Sequence, residues 1–125
     1  MQSPYQILGE QGIRQLVDTF YDVMDSSPQY CQLRAMHAAD LSAVRGKLSE
    51  YLIGWMGGPP IYAKKYGSIC MTTPHKPYKI GATERDAWLA CMQDALAATG
   101  ASEELRTMLQ GPLFQVADMV KNSDD

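Results

Sequence analysis

The stretch that decides the fold is His75-Lys76-Pro77-Tyr78-Lys79-Ile80-Gly81-Ala82-Thr83-Glu84-Arg85-Asp86-Ala87-Trp88-Leu89-Ala90-Cys91-Met92. Its first half places a histidine between Pro74 and Pro77, which restrict the backbone on both sides. A fixed imidazole suits a metal, because a mobile one loses ordering entropy at every binding event. Its second half reads as a helix. Thr83 is the expected N-cap, with Asp86 three residues on in place of the usual glutamate. Trp88, Leu89, Met92, Ala95 and Leu96 then carry the apolar face to Thr99-Gly100. A lone loop histidine is ordinarily a solvated side chain, so His75 draws its weight from its surroundings.

Outward from this stretch the chain reads as helices. Ile13, Leu16, Val17, Phe20 and Met24 form one buried stripe, predicting a helix from about Gln11 to Asp25, ended by Ser26-Ser27-Pro28. Cys31 to Met36 reads as a helical turn. The surrounding segment, residues 26 to 40, has few apolar residues and reads as comparatively mobile. Asp40 is the expected cap of the next helix, with a stripe of Leu41, Val44, Leu48, Tyr51, Leu52 and Trp55. Gly57-Gly58-Pro59-Pro60 ends it, and residues 61 to 73 read as loop with short helical pieces. Ser102 caps a last helix. Leu105, Leu109, Leu113, Val116 and Val120 keep phase across Gly111-Pro112, which predicts one kinked helix. Asn122-Ser123-Asp124-Asp125 reads as a polar tail that frays. With no sustained period-2 alternation, the fold class is all-α with four main helices, read as one domain over residues 1–125.

A hydrophobic content of 46% is enough for a core, and a net charge of -3 without a basic stripe argues against nucleic acid as a partner. The longest apolar run, near Leu52–Met56, contains Gly54 and is far too short to span a bilayer, so no membrane partner is expected. The N-terminal residues lack the basic and apolar regions of a signal peptide. Cys31, Cys70 and Cys91 are odd in number and read as reduced thiols, which implies a cytoplasmic location.

Two histidines are present, His37 and His75. Cys31 with His37 and Cys70 with His75 would make a zinc set, but the first pair is looser than in structural zinc sites. Covalent haem attachment needs Cys-x-x-Cys-His, which is absent. Hydrolase, phosphate-loop and metalloprotease motifs are absent too. Read alone, Glu84-Arg85-Asp86 is helix capping plus a local ion pair, while Tyr21, Trp55, Met56 and Trp88 are core.

Several pieces together resemble the group II truncated haemoglobins. They are Leu16-Val17 with Phe20-Tyr21, Leu33-Arg34-Ala35-Met36-His37, Leu48 to Trp55, Gly57-Gly58-Pro59 with Tyr62, His75-x-Pro77, and Glu84-Arg85-Asp86-x-Trp88-Leu89-x-Cys91-Met92. The resemblance covers roughly residues 8 to 120. It implies a two-over-two helical sandwich around non-covalent haem b. In that frame His75 matches the proximal iron ligand. Tyr21, Trp88 and His37 match distal positions that stabilise a ligand, and Val44 and Leu48 match the pocket wall. The chain departs from the family where Pro74 precedes the proximal histidine and Met71-Thr72-Thr73 lacks the usual arginines. Lys47, Lys76, Lys79 and Tyr62 are the expected substitutes for holding the propionates, Lys47 the best match. Val44 is bulkier than the small residue often found there and narrows entry on its side.

The resemblance implies binding of dioxygen and of other small ligands such as NO, CO, peroxide and sulfide. Tyr21, Trp88 and His37 each offer a hydrogen-bond donor. Two donors acting on a charged partner slow ligand loss by roughly 10²- to 10⁴-fold, which suits capture or redox and detoxifying chemistry rather than oxygen delivery. Peroxidase-like or NO/O2 redox turnover would need a reductase partner. His37 or Tyr21 is also a candidate sixth ligand to ferric iron. The alternative from another class is a cofactor-free helical interaction module.

Overall fold

The computed structural model describes residues 2–67, 75 and 78–123. Pro74, Lys76, Pro77, Cys70 and the Met71-Thr72-Thr73 stretch lie outside them, so the proline clip around His75 and the propionate role of Lys76 do too. Among the described residues there are six α-helices and no strand: α1 (Pro4–Ser26), α2 (Cys31–Ala35), α3 (Ser42–Trp55), α4 (Ile61–Tyr66), α5 (Ala82–Ala98) and α6 (Glu103–Met119). A 3₁₀ turn, Pro28–Tyr30, leads into α2.

Helix α1 starts earlier than the apolar stripe predicts. Ser3 and Gln6 form a reciprocal capping box, Ser3 Oγ accepting from the Gln6 N–H at 3.2 Å and Gln6 Oε1 from the Ser3 N–H at 2.8 Å. Gly9, at φ 72°, separates this first turn from the rest. The predicted stripe is buried as expected, at Ile13, Leu16, Val17, Phe20, Tyr21 and Met24. Residues 26 to 40 contribute more to the core than their composition suggests, since Tyr30 and Leu33 are both buried.

Two caps differ from expectation. Helix α3 begins at Ser42 with Leu41 at the cap position, and the Asp40 carboxylate reaches past it to the Ser42 N–H at 2.9 Å. Helix α5 is capped at Gly81, whose N–H donates to Glu84 Oε1 at 2.7 Å, while Thr83 lies within the first turn. Glu84, three residues after Gly81, takes the N3 role expected of Asp86, accepting from the N–H of the cap residue. Ser102 caps α6 as read, accepting from the Leu105 N–H at 3.1 Å, and α6 runs unbroken through Gly111-Pro112.

The four long helices pair as α1 with α3 and α5 with α6, and α1 also packs across α5, closing the core between the pairs. The Gly57-Gly58 stop does more than end α3. Gly57 sits at φ 104°, and the Gly58 N–H returns to the Ile53 carbonyl at 2.8 Å. A Cβ on Gly58 would stand 2.5 Å from Tyr5 Cδ1 and 2.8 Å from the Ile53 carbonyl oxygen. The bare glycine thus lets the start of α1 close onto the end of α3, a contact sealed by the Tyr5 N–H donating to the Met56 carbonyl at 2.9 Å.

Candidate functional site

Burial along α3 shows where the site lies. Leu52, Ile53 and Met56 are fully covered, while Val44, Leu48 and Tyr51 on the same stripe are only half-buried. They face a cavity of about 320 Å³ instead of another helix. Tyr21 enters it from α1, Leu33, Met36 and His37 from α2 and its exit, and Trp88 with Arg85 from α5. Val116, Ala117 and Val120 close it from α6, and His75, Tyr78 and Ile80 from the segment before α5. The structure therefore brings together Tyr21, His37, Val44, Leu48, His75 and Trp88 from five separated parts of the chain. The lining is largely apolar, and its volume lies in the range of small-molecule and cofactor sites, about 300–1,000 Å³.

Tyr21 is 5% exposed, yet its hydroxyl hydrogen-bonds to no protein group among the described residues, and neither does the Trp88 indole N–H. Both residues line the cavity, so their donors are open to an acceptor that enters it. The Tyr21 ring is held edge-on by Phe20 at 4.9 Å and His37 at 5.8 Å between centroids. Arg45 lies 5.8 Å from the ring centre and is itself fixed by Asp22 at 2.8 Å and Asp18 at 3.3 Å. Burial pushes the Tyr21 phenol up to about 12, against the opposing pull of the Arg45 charge, so at neutral pH it keeps its proton and donates. Trp88 packs edge-on against Phe20 at 5.4 Å, which fixes the indole on its helix.

His37 differs from the other two. Its Nδ1 lies 2.9 Å from the Leu33 carbonyl. A carbonyl only accepts, so Nδ1 carries the proton. Burial, with smaller contributions from the charges of Arg34 and His75, lowers the pKa of the ring below its usual value. Neutral His37 therefore turns an unprotonated Nε2 away from that carbonyl, and this nitrogen accepts rather than donates.

His75 has helical backbone conformation and is half-buried at the cavity wall. Lys47, Tyr62 and Lys79 do not line the cavity among the described residues. Lys47 Nζ stands 5.8 Å from the Tyr66 ring centre, and Tyr62 packs on Tyr51 and Tyr66 at 5.7 and 4.6 Å. Lys79 borders a separate recess with Gln32, Met36, Thr83 and Glu84. Arg85, a local ion-pair residue from the sequence alone, also lines the wall. It bonds Asp86 at 3.0 Å as the sequence predicts, but also Asp118 on α6 at 2.9 Å, and it stacks 4.9 Å from the Phe114 ring centre. No sequence signal marks that partner, because it comes from another helix. Cys91 is buried, its thiol donating to the Phe20 carbonyl at 3.3 Å. Burial, helped by the Asp94 charge, raises it to about 12, so it is no nucleophile.

The donor set fits haem: the imidazoles of His75 and His37, the unmatched donors of Tyr21 and Trp88, and apolar walls around one cavity. Among the described residues no group of three or more His, Cys, Asp or Glu could hold a metal ion, and Cys70 of the zinc set read from the sequence lies outside them. Among them also, no helix is long and apolar enough to cross a membrane.

Comparison with known proteins agrees with this geometry. A family model for bacterial-like globins matches residues 4–122. The chain is 35% identical to the group 2 truncated hemoglobin YjbI of Bacillus subtilis (strain 168), over 98% of this chain and 91% of that one. Among solved structures, the group II 2-on-2 hemoglobin of Agrobacterium tumefaciens superposes with a TM-score of 0.90 at 35% identity, covering 98% of this chain and 95% of that one. The cold-adapted truncated hemoglobin of Pseudoalteromonas haloplanktis TAC125 gives 0.92 at 32% identity, covering 98% and 99%. The truncated oxygen-avid haemoglobin of Bacillus subtilis gives 0.85 at 35% identity, covering 97% and 100%. With its paired helices, its cavity and these matches, the chain belongs to the bacterial-like globins, and within them to the group II truncated haemoglobins with the 2-on-2 fold.

Proposed function

We propose that this protein holds non-covalent haem b in the cavity with His75 as the proximal ligand, and that it retains small ligands rather than delivering them. The observation that carries this reading is the pair of donors, Tyr21 and Trp88, that find no protein acceptor among the described residues although both face the cavity. Haem, when bound, supplies an iron that takes small molecules such as dioxygen, NO, CO, peroxide or sulfide. The protein's own part would be to enclose the haem with Val44 and Leu48 of α3 and with His75, which line the same cavity. Lys47, Tyr62 and Lys79 are the polar groups we assign to its propionates. Tyr21 and Trp88 aim an O–H and an N–H at the ligand, and the low polarity around them strengthens both bonds. His37 presents Nε2 as an acceptor, which can bind ferric iron. The name of the Bacillus subtilis relative calls that protein oxygen-avid, in keeping with retention. Turnover on peroxide or NO would draw electrons from a reductase, and such redox or detoxifying work in the cytoplasm is the role this design suits.

The test is to purify the protein with haem and follow ligand loss from the ferrous form. The reading requires a Soret band, a ferrous five-coordinate spectrum that His75→Ala abolishes, and ligand release that speeds up in Tyr21→Phe and in Trp88→Phe. A colourless protein that takes up no haem would sink it and favour the helical interaction module.

A further inference from the structure

Asn122 was expected to fray with the polar residues around it. It does the opposite. Its Oδ1 accepts from the Ile80 N–H at 2.8 Å, and its Nδ2 donates to the Tyr78 carbonyl at 2.7 Å and to the His75 carbonyl at 3.3 Å. The backbone N–H groups of Asn122 and Ser123 converge on the Ile80 carbonyl at 2.8 and 3.0 Å. One side chain thus binds three residues of the segment leading from His75 into α5. That segment has a bond of its own, the Tyr78 N–H donating to the His75 carbonyl at 3.0 Å. A second tie lies nearby, where Arg85 at the start of α5 pairs with Asp118 near the end of α6.

We propose that Asn122 is the positioning residue for His75: its carboxamide fixes the His75 and Tyr78 carbonyls and so sets where the imidazole stands against the cavity. This rests on the reading of His75 as the proximal ligand. A carboxamide is the right group, because it alone accepts from one backbone N–H while donating to two carbonyls. Aspartate has the same shape and keeps the acceptor, but loses both donors. Alanine loses all three bonds. These bonds are partly exposed to water, so their loss acts on the precision of the ligand more than on the fold.

The test uses the haem-loaded protein with Asn122→Asp, Asn122→Ala and His75→Gly. Three quantities are read: transfer of haem to an excess of acceptor apoglobin, the iron–histidine stretching band of the ferrous form, and exchange of the Ile80 amide. The proposal expects haem loss about 10-fold faster or more in Asn122→Ala, which loses all three bonds. It expects a shifted or broadened iron–histidine band in both Asn122 variants. The Ile80 amide exchanges faster in Asn122→Ala and stays protected in Asn122→Asp, which keeps the acceptor. In His75→Gly the band disappears and added imidazole restores it. Should His75→Gly keep its band, the proximal assignment falls and takes the proposal with it. Should that control behave as expected while both Asn122 variants keep the wild-type band and haem-loss rate, Asn122 only holds the segment together and the proposal is overturned.

Discussion

Replacing Trp88 with phenylalanine isolates one hydrogen bond. The edge-on contact with Phe20, at 5.4 Å, needs only an aromatic ring at position 88, so the variant should keep its fold. What it loses is the indole N–H. Tyr21 remains a donor at neutral pH because its phenol is pushed up to about 12. Neutral His37 cannot substitute, since its one ring proton is given to the Leu33 carbonyl. Trp88 is therefore one of two donors, and its removal costs the full bond to a partly charged ligand, about 1.5–3 kcal/mol. At about 1.4 kcal/mol per factor of ten, dissociation of dioxygen from the ferrous form accelerates about 10- to 150-fold. Association should change less, because the bond forms after the ligand has entered. The assay is stopped-flow displacement of dioxygen by carbon monoxide, with Tyr21→Phe and the double variant alongside. An off-rate within twofold of wild type in Trp88→Phe, with the fold intact, would refute the reasoning and make Trp88 a packing residue.

His37 sets a pH dependence of stability. Its folded pKa lies below the unfolded value of about 6.5, so its contribution is fully present above about pH 6.5 and is lost as pH falls from there through the lowered folded value. Denaturation midpoints between pH 8 and pH 5.5 should fall more steeply for wild type than for His37→Phe, and parallel curves would rule this out. The ferric protein should show some six-coordinate low-spin character that disappears in His37→Ala, because the unprotonated Nε2 is free to ligate. Identical high-spin absorption and resonance Raman spectra for the two would exclude it. Gly58→Ala forces a Cβ to within 2.5 Å of the Tyr5 ring and should lower stability by about 1–3 kcal/mol. Thermal unfolding measures the loss, and Tyr5→Ala in the same chain should recover part of it if the clash is the cause.

The sequence by itself determined the helices and the family. Apolar spacing of three and four residues is a local property, and burial followed it at Ile13, Leu16, Val17, Phe20 and Met24. Glycine and proline stops are local too, and so is the serine that caps α6. The motifs around Trp88 and Gly57-Gly58 then carried the family. What the sequence could not hold is anything that depends on a partner from another element. Glu84 takes the capping-box role expected of Asp86 because the helix starts at Gly81 and the Glu84 side chain folds back to its N–H. Tyr21 and Trp88 read as core residues, and only the packing of α1, α3 and α5 left their donors facing a cavity without a protein acceptor. The tautomer of His37 was invisible until the Leu33 carbonyl was placed beside Nδ1. Asn122 carries no periodicity and no motif. Composition marked it as tail, and only tertiary structure set its carboxamide against Ile80, 42 residues away in the chain. Hydrophobic pattern repeats with the helix and can be read along one dimension. A hydrogen bond between distant residues is decided by where two chain segments meet, and that is fixed only when the helices pack.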